Sequence, residues 1–279
     1  MTQGFLVLAR NTPQVNYVDQ AYALALSIKY SQKTVKNISL VTDDVVPDKY
    51  KKVFDHIIPI ANDTEDTRYQ TEVRWRLFHV SPYKETIVLD TDMLLMQDIS
   101  SWWEQCKDYD LKFCSRIKNY KQEPVLDLVH RRTFIENALP SPYFALHYFK
   151  QRDIPLAFYK QLKYVVRNWE EVSKAYTPNS RQEYPSMDLA AAIAIEMLDL
   201  HHVVDTVCPL EFVHMKPAIQ GWKPTPPSWQ LVVPPVLNSK GELIIGNFKQ
   251  PALFHYVEKD FLNTTIISQL EEIADVRTI

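Results

Sequence analysis

Only four glycines, Gly4, Gly221, Gly241 and Gly246, occur in 279 residues. Neither GxGxxG nor GxxxxGK[ST] can be written with them, so dinucleotide-type and Walker-type phosphate loops are excluded. Any phosphate this chain binds must be met by a metal ion and by side chains. Cysteine is also scarce. Cys106, Cys114 and Cys208 are odd in number and have no CxxC spacing, which argues against a disulfide framework or zinc site and for reduced thiols in a cytosol. No apolar run approaches the roughly 18–20 residues of a membrane span, and Met1 to Arg10 lacks the basic n-region of a signal peptide. The expectation is a cytoplasmic protein without a membrane span. Basic runs do not exceed pairs such as Lys51-Lys52 and Arg131-Arg132, and the net charge is −3. A nucleic-acid partner is not indicated.

What the chain does contain is ordinary for a globular protein: 46% hydrophobic and 23% charged residues. Its length suits one large α/β domain, or one domain with an appended lobe. Six tryptophans, 15 tyrosines and 12 phenylalanines would suit stacking on sugars, although their commoner role is to fill cores.

The chain is organised around Glu85 to Ile99. Thr86 to Leu89 is apolar and β-branched, too short for a helix, and follows the polar turn Pro82-Tyr-Lys-Glu, so it reads as a buried central strand. Its end delivers Asp90 and Asp92. In extended chain, residues i and i+2 point the same way, and two carboxylates so placed repel unless a cation lies between them. A divalent ion preferring oxygen is the usual solution, and it commonly brings phosphate oxygens with it. Isolated Asp-x-Asp triplets are most often turns or caps. One that follows a hydrophobic strand in a β/α chain sits where ligands gather.

Before that strand, Phe5 to Ala9 reads as a first strand, Tyr17 to Ser31 as a helix capped by Asn16, and Ile38 to Thr42 as a second strand ending in Asp43-Asp44. A parallel crossover would bring the exit of the first strand beside the acidic end of the second and form a nucleotide pocket. A third short strand is expected near His56 to Ile60, and a helix at Thr71 to His79 carrying Arg74. Beyond Asp92 the pattern predicts a helix after Asp98, a strand at Leu111 to Ser115, and a polar insertion or mobile loop over 116–142. A strand at Tyr143 to Phe149 and one amphipathic helix from Ile154 to Tyr176 follow. Ser186 then caps an alanine-rich helix with Asp188 in its first turn. The last portion is short strands, a hairpin at Asn238 to Gly241, and a helix from Phe261 to Ile273.

With fifteen residues between Arg74 and Asp90-Thr91-Asp92, and Asn16-Tyr17…Leu24…Ser27 opening the first helix, the chain resembles GT-A glycosyltransferases, nearest to the glycogenin and galactosyltransferase-like group (family 8). The likeness is best over residues 5–100 and looser over 140–200. It implies an α/β GT-A fold with a mixed, mostly parallel central sheet in one domain spanning 1–279. Residues 1–100 would form the nucleotide and metal half, and 101–279 the acceptor half and closing segment.

The resemblance further implies a sugar transferred from a nucleoside-diphosphate sugar, UDP-sugar being favoured, to a glycan or other hydroxyl acceptor. Mn²⁺ or Mg²⁺ would be the cofactor. Family members end with a His-x-x-Gly-x-x-Lys pattern that is not reproduced here, and two histidines compete for its place. His255, with Lys259 four residues on, fits better as a third metal ligand beside Asp90 and Asp92. His214, near Lys216 and Lys223, is the rival. Ala9, Arg10, Asn11 and Tyr17 would line the base pocket, and Asp43 would read the base or ribose. Thr91 and Lys259 would meet the donor, and Arg74 its sugar or diphosphate. Asp188 is the candidate for sugar contact or the acceptor side. Family likeness leans towards retention at the anomeric centre, whereas inversion would require a general base, for which Asp188 or Glu183 is placed. Two other classes stand beside this one. A nucleotidyltransferase would normally have a glycine- and base-rich loop where Arg10 to Pro13 stands. A non-catalytic carbohydrate-binding protein could keep an intact Asp-x-Asp.

Overall fold

A computed structural model describes the chain apart from residues 1, 61–69, 126–130, 181, 205–207, 216–228 and 279. The apolar runs form the expected parallel strands β1 (Gln3–Leu8), β2 (Ile38–Val41), β3 (His56–Ile58) and β4 (Glu85–Leu89). β1 lies between β2 and β4, with Phe5 opposite both Ile38 and Ile87. β5 (Met93–Leu95) leaves this sheet, as does β7 (Ile117–Lys118). β6 (Leu111–Cys114) and β8 (Tyr143–Lys150) return to it, completing the order β3-β2-β1-β4-β8-β6. β8 runs antiparallel to β4 and β6, so the sheet is mixed and mostly parallel.

Gly4 is required here by closeness. A Cβ on it would lie 2.4 Å from the ring of Tyr83, whose hydroxyl is 2.6 Å from Ser39 Oγ.

The helix Tyr17–Ser31 begins as expected, with Asn16 Oδ1 accepting from the N–H groups of Val18 and Asp19. It is buried on more than the one face that its spacing predicts. Val18, Ala21, Leu24, Ala25 and Ile28 pack on the main sheet, and Tyr22, Ala23, Leu26 and Tyr30 belong to a separate core. That core includes Ile266, Leu270 and Ile273 of the helix Thr264–Thr278. Ser27 resolves the polar problem of this sandwiched position, because its Oγ donates to Leu24 O and accepts from Leu95 N.

The second core supports another sheet. β9 (Phe212–His214) and β13 (Leu253–His255) join β5 and β7 in the order β5-β13-β9-β7. β10 (Pro235–Leu237), β11 (Leu243–Ile245) and β12 (Phe248–Lys249) form a third, small sheet. Its first turn is the expected hairpin, with Gly241 at φ +71° and Asn238 Oδ1 accepting from Lys240 N and Glu242 N.

Two expectations are corrected. The helix from Ile154 to Tyr176 is two helices, Asp153–Arg167 and Trp169–Tyr176. Asn168 interrupts them, its side-chain amide donating to Tyr164 O, the local competition that makes asparagine a poor helix interior residue. The stretch 116–142 is also more than a loop. It carries β7, paired to β9 through Ile117 and Phe212, and the short helix Arg132–Glu136.

On the other face of the main sheet, the buried His147 lies in β8 among Phe113, Phe144 and Tyr159. Its Nδ1 is 2.9 Å from Phe144 O, and its Nε2 is 2.6 Å from the Tyr159 hydroxyl. A carbonyl only accepts, so Nδ1 carries the hydrogen and Nε2 accepts from tyrosine. Burial pushes the imidazole down to about 3, so this histidine is a neutral core group.

Candidate active site

β4 ends at Leu89 and β5 begins at Met93, so Asp90, Thr91 and Asp92 are the passage from the main sheet to the second sheet. Asp90 N donates to Ala145 O of β8, and Tyr256 N donates to Asp92 O beyond β13. The passage is a turn, not extended chain, and the two carboxylates converge through that turn.

β13 runs antiparallel to β5 with His255 opposite Met93, and parallel to β9 with His255 opposite His214. This register brings both histidines to the site in sequence-distant strands. His255 Nε2 lies 3.1 Å from Asp92 Oδ2. Asp90, Asp92 and His255 offer ligand atoms that all lie within 4.8 Å of one another. The His214 ring sits 5.1 Å from that of His255, one strand farther out, and is not part of this cluster.

The electrostatics are dense. Arg74 Nη1 meets Asp90 Oδ1 at 2.7 Å. The Lys259 ammonium donates to Asp92 Oδ2, the oxygen that His255 also approaches. Asp92 is 6% exposed. Burial raises its carboxyl, but the charges and hydrogen bonds of His255 and Lys259 outweigh burial and hold it well below the usual carboxylate range. Two hard carboxylates with one imidazole, gathered this closely, fit a divalent ion such as Mn²⁺ or Mg²⁺.

Two clefts share Arg74 and Asp90 as a wall. One, of about 170 Å³, is lined by Leu8, Arg10, Tyr17, Thr91, Asp92 and Lys259 besides the shared pair. Lys259 Nζ stands 5.3 Å from the centre of the Tyr17 ring. The other, of about 300 Å³, contains Arg131, Tyr143, Asp188, His214 and His255.

The remaining sequence candidates fall around this frame. Ala9 is buried, its N–H donating to Val41 O. Asn11 N donates to Asp44 at 2.6 Å, and Asn11 Oδ1 accepts from Val18 N. Asp43 pairs with Arg10 at 3.2 Å, so the two strand exits do meet, with Arg10 and not Asp43 facing the smaller cleft. Ser186 caps the helix Met187–Met197 as expected. Glu183 is exposed. Lys216 and Lys223 lie outside the described residues.

Asp188 is a cleft residue with both oxygens engaged. Arg131 Nη2 donates to Oδ2 and Phe144 N to Oδ1, each at 2.8 Å. Arg131 is the residue that sequence reasoning missed. Its guanidinium lies 3.7 Å from the Tyr143 ring centre and 4.8 Å from that of Phe134, and Nη1 donates to Pro142 O. Nothing local in the polar stretch 116–142 distinguishes it. The stretch is tied down by long-range contacts, β7 to β9 at its start and Arg131 to Asp188 near its end.

Cys106 is pushed by burial up to about 12 and Cys114 is raised likewise, so these thiols are inert. Among the described residues, no helix is long and apolar enough to cross a membrane.

The sequence matches no protein-family model and no curated protein. Solved structures do match in shape. The galactosyltransferase LgtC, in complex with donor and acceptor sugar analogues, aligns over 99% of this chain and 96% of its own, with TM-score 0.53 and 12% identity. Mouse xyloside xylosyltransferase 1 in its apo form aligns over 92% and 98%, with TM-score 0.53 and 13% identity. The glycosyltransferase GlyE of Streptococcus pneumoniae TIGR4 aligns over 72% of this chain at TM-score 0.38 and 12% identity, and the chain spans 44% of GlyE. At such identities the likeness is one of architecture: the chain has the fold of GT-A glycosyltransferases.

Proposed function

We propose that this protein is a metal-dependent glycosyltransferase that moves a sugar from a nucleoside-diphosphate donor, UDP-sugar being favoured, to a hydroxyl acceptor such as a glycan. The observation that carries the reading is the convergence of Asp90, Asp92 and His255 on the wall shared by two clefts. Such a site suits a donor lying across the wall, with its nucleotide in the smaller cleft and its sugar and the acceptor in the larger.

In this reading Asp90, Asp92 and His255 hold Mn²⁺ or Mg²⁺, which supplies Lewis-acid stabilisation of the departing diphosphate. The chain's own residues do the rest. Tyr17 and Arg10 receive the base and ribose, supported by Asp43, Asn11 and the buried strand exit at Ala9. Thr91 and Lys259 face the diphosphate, and Arg74 stands between diphosphate and sugar. Preorganised positive charge of this kind acts where negative charge develops and costs no reorganisation during reaction. The bond from the anomeric carbon to the diphosphate breaks, the diphosphate leaves with the electron pair, and the acceptor oxygen bonds to that carbon and gives up its proton to the departing diphosphate. Asp188, fixed by Arg131 and Phe144 N–H, is suited to accept hydrogen bonds from sugar hydroxyls. Both of its oxygens already accept hydrogen bonds, from Arg131 Nη2 and from Phe144 N–H, an arrangement that suits positioning of a sugar.

Thermal unfolding with Mn²⁺ and either UDP or GDP tests this reading. Metal and the matching diphosphate together should raise stability by about 2.7 kcal/mol at 100 times the dissociation constant, and Asp92→Asn should abolish the gain. Slow release of nucleoside diphosphate from a UDP-sugar without acceptor would separate an enzyme from a binding protein. No shift with either nucleotide in the presence of metal would sink the proposal.

A further inference from the structure

Each carboxylate of the Asp90–Asp92 pair is already matched by a protein cation, Arg74 on Asp90 and Lys259 on Asp92. The two matches differ in kind. Arg74 approaches from the helical segment before β4 and lines both clefts. Lys259 Nζ sits on Asp92 Oδ2, the atom that His255 Nε2 approaches to 3.1 Å. It thereby occupies the side of Asp92 where an ion shared with His255 would lie. The local chain makes this reach possible. Lys259 follows His255 by only four residues, and between them Val257 takes a left-handed conformation at φ +60°, which β-branched residues rarely adopt. The chain turns back there, and Lys259 opens the short 3₁₀ turn Lys259–Phe261.

We propose that Lys259 is a tethered cation that holds the place of the divalent ion at Asp92 and is handed to the diphosphate when that ion binds. The inference rests on the transferase reading of this site. An ammonium and a dication on the same carboxylate oxygen repel each other, so ion entry must displace Lys259. The displaced side chain stays in the smaller cleft, where its ammonium already lies near the face of Tyr17 and where the diphosphate belongs. Metal alone therefore binds against a competitor, whereas metal with nucleoside diphosphate binds with that competitor given a new partner. The two ligands become positively coupled, and each must strengthen the other by the same factor.

The test is Mn²⁺ binding to the full chain, read from the electron paramagnetic resonance signal of free Mn²⁺, with and without UDP. Wild type should bind Mn²⁺ weakly alone and about 10-fold or more tightly with UDP, within the usual range of such couplings. Lys259→Met and Lys259→Gln should each bind Mn²⁺ alone about 10-fold more tightly than wild type and show a smaller UDP effect, the part that is left being the ion's own attraction for the diphosphate. Two variants of different polarity, each checked for a cooperative unfolding transition, guard against a folding defect in one. If wild type binds Mn²⁺ through Asp92 but neither folded variant binds it more tightly, Lys259 is no competitor and the proposal is overturned. If no form binds Mn²⁺ with or without UDP, the metal-dependent transferase reading fails, and this inference falls with it.

Discussion

The chain passes from the main sheet to the second sheet at Asp90 to Asp92, and again between β6 and β7, yet the two sheets are built on different terms. β1, β2 and β4 are runs of four to six residues with almost wholly buried interiors, paired in parallel, β1 to β2 across the helix Tyr17–Ser31 and β1 to β4 across 82 positions of sequence, as from Gln3 to Glu85. β5, β9 and β13 have three residues each, and β13 meets β5 across more than 150 positions of sequence. The first sheet supplies rigidity and one edge of a pocket. The second brings His255, His214 and, just beyond it, Lys259 to the pocket. A stable scaffold and a chemically specialised closing layer have thus been assigned to different strands, and damage to each should read out differently.

The sharpest break between them is at the paired histidines. His255→Ala should weaken Mn²⁺ binding in the presence of UDP by roughly 100-fold, on the scale seen when a metal's close partners are lost, with a smaller change in unfolding temperature. His214→Ala should leave Mn²⁺ affinity within about 3-fold and act instead on substrate in the larger cleft. Equal metal losses for the two would dissolve the distinction drawn from their register.

His147 breaks the comparison from the other side. Its pKa in the folded chain is about 3, below the ordinary value of 6.5, so the folded state disfavours the proton that the unfolded chain accepts. Its contribution is complete above about pH 6.5 and is lost as pH falls towards 3, at a slope of about 1.4 kcal/mol per pH unit. Replacing it with glutamine should lower stability at neutral pH and flatten the acid side of the stability profile, as measured by urea unfolding at a series of pH values. Mn²⁺ affinity at neutral pH should not change. A profile with an unaltered acid slope would show that some other group dominates.

The smallest effect is expected at the helix cap. Asn16→Ala removes the acceptor for two backbone N–H groups and should cost about 1 kcal/mol in chemical denaturation. Tyr17 begins that helix and lines the smaller cleft, so a slight rise in the UDP dissociation constant should accompany it. A cost near zero would mean that Asn11, which also accepts from Val18 N, replaces the lost cap.

How far the sequence could be read follows the same division. The strand before Asp90, the Asn16 and Ser186 caps and the Asn238 to Gly241 turn were legible because each depends on neighbours within a few residues. The placing of Arg74 before Asp90 was legible through the family resemblance, which assigned Arg74 to the donor and not to Asp90, and the ion pair between the two appears only in the structure. The interruption at Asn168 was not, because the helical period continues in phase across it and Val165, Val166, Trp169 and Val172 are all buried. Arg131 was invisible because its partner Asp188 lies 57 positions away.

The amino-acid sequence by itself determined the α/β alternation, the absence of a glycine phosphate loop and the delivery of two carboxylates at the end of a buried strand. These follow from local sterics and the burial of apolar periods. Tertiary structure alone decided which histidine joins those carboxylates, because three-residue strands carry too little pattern to specify their own partners. His255 and not His214 lies beside Asp92 because β13, not β9, pairs with β5.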